Sequence, residues 1–74
     1  MSTAAPRRGS VEAFDEAVGL GTVRDDDGRD YPFHCTQIAD GSRTIAAGTR
    51  VEFDVVPGHL GHWEAAAVGP IQRN

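Results

Sequence analysis

Four side chains in this 74-residue chain have the ligand chemistry of a metal site: His34, Cys35, His59 and His62. Zinc takes such nitrogen and sulfur donors, normally four in a tetrahedron. His59-x-x-His62 alone is a weak signal, and His34 and Cys35, as neighbours on one extended strand, are expected to point to opposite faces. The set does not close, so neither a metal nor a cofactor is assigned. Cys35 as a nucleophile needs a base and an orienting group at hydrogen-bond distance, which the next residue on a strand rarely supplies. Its plainer reading is a small apolar filler. Asp25-Asp26-Asp27 has oxygen donors for a cation, yet such a run is most often a solvated hairpin tip. No carboxylate pair, triad or phosphate-cradling loop is present, and the chain reads as non-enzymatic.

Aromatic rings and arginines carry a different chemistry, the stacking and phosphate contact that hold single strands. Trp63, the only Trp, lies beside His59 and His62. Two readings stay open for it: an aromatic platform at the rim of a sheet, or a large side chain that completes a small core. Charge argues against a phosphate grip. The net charge is −4, there is no Lys, and between Gly9 and Pro70 four arginines face all eleven acids. Such a body repels a phosphate backbone unless its arginines gather on one face.

The elements that must position these residues are short apolar segments cut by turn residues, the rhythm of a small all-β fold. Strands are expected at Ser10–Phe14, Leu20–Arg24, Asp30–Cys35, Thr49–Val56 and His62–Gly69. The fourth is clearest, because Val51, Phe53 and Val55 alternate with Glu52 and Asp54. Gly19 and Gly21 flank Leu20, which suggests a bend or bulge. Asp27-Gly28 marks a hairpin, Asp40-Gly41-Ser42 opens a longer link, and Pro57 to Gly61 joins the last two strands. Residues 1–8 read as a flexible tail, 9–70 as one barrel and 71–74 as a C-terminal tail. Five strands grouped three and two, with a long link after the third, predict a five-stranded Greek-key barrel of the OB type; an SH3-like barrel is the alternative on pattern alone. One Cys, no apolar run behind Arg7 and Arg8, and no stretch of about 20 apolar residues lead to the expectation of a cytoplasmic protein with no membrane contact.

The order and spacing of particular residues sharpen this. Gly9-Ser10-Val11-Glu12-Ala13-Phe14-Asp15, followed by Gly19-Leu20-Gly21-Thr22-Val23, resembles the opening of the cold-shock domain family, Gly-Thr-Val-Lys-Trp-Phe-Asn and then Gly-Phe-Gly-Phe-Ile. Tyr31-Pro32-Phe33-His34-Cys35 and Ile38 are similar to that family's Val-Phe-Val-His-Phe strand and its following Ile. Asp40-Gly41-Ser42-Arg43-Thr44-Ile45, Gly48, Val51-Glu52-Phe53 and Gly58-His59-Leu60-Gly61 continue the match to about Pro70. The resemblance implies an OB barrel that binds single-stranded RNA or DNA.

The departures fall on one surface. The family presents a row of aromatics on which bases stack; the matching positions here hold Ala13, Leu20, Thr22, Pro32, Cys35 and Ser42, and the strand-one Lys is Glu12. Phe14, His34 and the basic Arg43 remain. Stacking contributes about 1–3 kcal/mol per base, so losing three platforms removes roughly two decades of affinity even at the low end. Weakened or altered single-strand binding is therefore expected, through Phe14, Leu20, His34, Arg43, His59 and Trp63. The alternative is a barrel that has lost nucleic acid and takes a protein partner on the sheet face bearing Ala13, Leu20, Thr22, Pro32 and Cys35.

Overall fold

The computed structural model describes residues 6–58 and 61–71. Five strands run antiparallel in one sheet: β1 (Arg7–Asp15), β2 (Leu20–Asp25), β3 (Asp30–His34), β4 (Arg50–Pro57) and β5 (Trp63–Pro70). Their order is β3-β2-β1-β4-β5, so β1 is central and joins the β1–β3 meander to the β4–β5 hairpin. This is the all-β OB-type arrangement expected from the sequence. The sheet curls without closing. Ile38 bridges Val68, and the Ala39 N–H donates to the Val68 carbonyl at 2.7 Å, tying the segment after β3 to β5.

β1 starts at Arg7, inside the stretch expected to be a tail, because Arg7 and Arg8 pair with Phe53 and Glu52 of β4. Backbone pairing along a sheet needs no apolar side chain, so a polar composition concealed these strand residues. At the other end, β3 stops at His34, and Cys35 opens a short 3-10 turn (Cys35–Gln37) rather than ending the strand.

The core follows the alternation of the strands. Val51 and Phe53 of β4 are buried and Val55 packs against them from the edge, as the sequence pattern requires. Val11, Val23, Tyr31, Phe33, Ile38, Ala65 and Val68 complete the cluster. Tyr31 and Phe53 meet with centroids 5.9 Å apart. Trp63 is not part of this core: it is 56% exposed, which rules out its reading as a core cap.

Two bulges bend the sheet. On β1, Val11 pairs with Val23 and Ala13 with Thr22, leaving Glu12 as the extra residue. On β5, the register slips between Glu52 and Asp54, and Ala67 there adopts a φ of 52°. The slip lets Ala65 and Val68 both face inward although they are three positions apart, an odd spacing that regular alternation would put on opposite faces. A left-handed conformation costs a Cβ-bearing residue about 1–2 kcal/mol. Ala67→Gly removes that strain at some cost in unfolded-state entropy, and a net gain of about 0.5–1 kcal/mol is expected. Calorimetry should show it as a Tm rise of roughly 2–6 °C.

The acidic hairpin tip is built rather than merely solvated. Asp25 is 5% exposed. Its Oδ1 accepts from the backbone N–H groups of Asp27 and Arg29, both at 2.9 Å, and its backbone carbonyl accepts from the Gly28 N–H at 3.0 Å. Oδ2 makes no hydrogen bond among the described residues; the Arg7 guanidinium, 3.7 Å away, supplies its counter-charge. Hydrogen bonds to a charged group contribute about 1.5–3 kcal/mol each. Asp25→Ala should therefore lower urea stability by about 2–4 kcal/mol with an unchanged m-value, while Asp25→Asn, which keeps Oδ1, should cost much less.

Candidate nucleic-acid interface

The outer face of β1–β3 is organised by cross-strand register. Ala13 lies opposite Thr22, and Thr22 opposite Pro32, forming one row across three strands. Leu20 lies opposite His34 one step along. Ala13, Phe14, Asp15, Leu20, Gly21, Thr22 and Pro32 line a groove of about 410 Å³ on this face, almost wholly apolar. The row thus holds a methyl, a hydroxyl and a pyrrolidine ring, and no aromatic side chain.

The residues expected to bind do not converge on one pocket. Phe14, carried past the β1 bulge, turns half inward and stacks on buried Phe33 with centroids 5.8 Å apart and planes 20° apart. It also lines the groove, from a half-buried position. Gly21 makes this possible, since a Cβ there would lie 2.7 Å from the Phe33 ring and 2.8 Å from that of Phe14. Leu20 is 51% exposed and free to touch a base. His34 is exposed, but its Nδ1 accepts the Thr36 N–H at 3.2 Å and lies 3.0 Å from the Thr36 hydroxyl, so the ring caps the 3-10 turn. Its outer face remains open to stacking. Arg43 belongs to a second groove of about 470 Å³, with Cys35, Thr36, Ile38 and Ser42. Trp63 belongs to a third, of about 450 Å³, with Arg29, Asp30, Tyr31, Pro32 and His62. His59 lies outside the described residues.

His34 and Cys35 do not point apart as strand neighbours would. Because Cys35 begins the 3-10 turn, its Sγ lies 3.8 Å from the His34 Nδ1. The thiol also packs half-buried against the core, the filler role expected of it. Among the described residues no three His, Cys, Asp or Glu side chains are grouped to hold a metal.

Electrostatics separates the arginines into two kinds. Arg24 donates to Asp30 through Nε at 2.8 Å and Nη2 at 3.3 Å, and its Nη1 lies 3.4 Å from Glu12. Arg50 clamps Asp26 through two bonds of 2.9 and 3.2 Å. Arg8 pairs with Glu52 at 3.2 Å, and Arg7 with Asp25. These bonds hold the Asp30 carboxyl below the usual carboxylate range, chiefly through the hydrogen bond from Arg24, and the Asp26 carboxyl likewise through Arg50. Both acids therefore stay ionised, and both arginines occupied, down to pH values below the ordinary Asp titration. Among the described residues no ion pair includes Arg29 or Arg43.

Sequence reasoning left Arg29 without a role. Its place beside Trp63 depends on how the barrel curls, and no local pattern reports that.

Comparison with known proteins agrees with this architecture. The family model described as "'Cold-shock' DNA-binding domain" matches residues 7–71, starting at the first residue of β1. The chain is 38% identical over 56 residues to the cold shock-like protein CspE of Escherichia coli strain K12, covering 73% of this chain and 81% of that protein. The CspE protein of Shigella flexneri matches to the same extent. A five-stranded sheet of OB type, a family match along nearly its whole length and this degree of identity establish that the chain belongs to the cold-shock domain family.

Proposed function

We propose that this protein binds single-stranded RNA or DNA across the outer face of β1–β3, more weakly and with a different preference than an aromatic platform would allow. Membership of a nucleic-acid-binding family supports the ligand class. The row Ala13–Thr22–Pro32 carries the weakening: it sits where stacking rings would stand and contains none. A role in regulating transcription or translation in the cytoplasm, without catalysis, is consistent with such a ligand.

The state of the arginines makes this quantitative. Each phosphate contact to a single strand contributes a slope of about −0.7 in log K against log salt. With Arg7, Arg8, Arg24 and Arg50 paired to carboxylates, only Arg29 and Arg43 among the described arginines stand outside an ion pair. Titration of the full chain with oligo-dT and mixed-sequence RNA should therefore be saturable and give a slope of about −1.4. A slope steeper than about −3 would mean that the ion pairs open on binding. No binding in fluorescence or mobility-shift assays at low salt would end the nucleic-acid reading.

A second reading, a protein-docking surface on the same face, is favoured by one observation. Leu20, 51% exposed, lines the apolar groove together with Asp15, and Val18, in the turn before β2, is 59% exposed.

A further inference from the structure

Pro32 lines both the sheet-face groove and the groove that holds Trp63. The two therefore adjoin at Pro32, on a path from Leu20 and Thr22 over β3 to the start of β5. At its far end Trp63 stands 56% exposed, against the habit of a small barrel to bury its largest side chain. Arg29 lines the same end, and no ion pair among the described residues engages it. Asp30 is the acid of this groove, and its carboxylate is already held by Arg24 at 2.8 Å. An exposed indole and a guanidinium outside every ion pair of the described residues, lining one groove, are the pairing that a nucleotide recognises, with the base on the ring and the phosphate on the cation.

We infer that Trp63 and Arg29 form a nucleotide subsite between β3 and β5, in which the base of a bound single strand stacks on Trp63 and its phosphate meets Arg29. This rests on the nucleic-acid reading above and extends it. The strand follows the sheet face past Pro32 and ends on β5, so stacking has moved from the middle of the sheet to its edge.

The test is titration of the full chain and its variants with a short oligo-dT, with 5-iodouracil crosslinking as a separate readout of contact. Trp63→Ala should weaken binding by roughly fivefold or more, and Trp63→Phe should recover most of it. Arg29→Gln should flatten the salt slope by about 0.7. Crosslinked peptide should map to Trp63. Circular dichroism checks that each variant is folded, as expected for exposed positions. If the parent binds and Leu20→Asp weakens it, but Trp63→Ala and Arg29→Gln change nothing, the subsite is overturned and the sheet-face reading stands. If the parent binds no oligonucleotide, both are overturned together.

Discussion

Placing Trp at position 13 and Phe at position 22 together is expected to tighten oligo-dT binding by roughly a hundredfold, about tenfold for each ring, since stacking contributes about 1–3 kcal/mol per base and 1.4 kcal/mol is one decade. The two positions face each other across β1 and β2 on the outer side of the sheet. Ala13 is exposed and Thr22 half-exposed, and the groove beside them is open, so larger side chains meet solvent rather than core. Glu12 and Arg24 stay paired, and the salt slope should hardly change. A gain in affinity without a steeper slope would assign the deficit to missing stacking surface. A folded double variant that binds no better than its parent would instead assign it to charge, because the acids of the barrel outnumber its arginines. Separating the two takes only the slope measured alongside the affinity.

The largest expected loss of stability comes from a single methyl group. Gly9 is buried in β1, paired with Asp25 on one side and Val51 on the other. A Cβ there would run into the Arg24 carbonyl and lie 2.7 Å from the Asp25 Cα, and backbone cannot swing aside as a side chain can. Overpacking typically costs 1–3 kcal/mol, and with no flexible neighbour to yield, Gly9→Ala should cost about 3 kcal/mol or more. At about 0.05–0.15 kcal/mol per residue, a 74-residue domain holds only roughly 4–11 kcal/mol in all. Much of the population should therefore be unfolded at moderate urea concentrations where the parent is native. Gly28→Ala is the control: its φ of 89° makes Ala unfavourable, but nothing lies within 4 Å of the added atom. That variant should lose only about 1 kcal/mol. Equal losses at the two sites would show that backbone proximity at Gly9 is not the cause.

Much of the fold was legible from local pattern. Alternation at Val51, Phe53 and Val55 located β4 and its inward face, and turn residues placed every strand to within a few positions. Strand ends were less legible. Arg7 and Arg8 extend β1 because β4 offers backbone partners, and Cys35 leaves β3 because the chain turns there into a 3-10 segment. The first depends on a strand distant in sequence, the second on a turn capped locally by His34. Asp25 was concealed for another reason: it reads as one of three solvated acids and is in fact the buried acceptor of its own hairpin, with partners only two and four residues away.

Family membership could be read from residue type and spacing alone, and so could the residues that stand on the outer row of the sheet. The absence of aromatics at positions 13, 22 and 32 needs no coordinates. Which of the polar and aromatic groups stay open at the surface follows instead from the packing of the strands. The β1 bulge turns Phe14 toward Phe33, the 3-10 turn occupies the His34 imidazole, and cross-strand register hands Arg24 and Arg50 to Asp30 and Asp26. The curl of the sheet sets Trp63 beside Arg29 and Pro32, residues some thirty positions away in sequence. Side-chain type is written one residue at a time, whereas direction, pairing and exposure depend on how the strands close around the core.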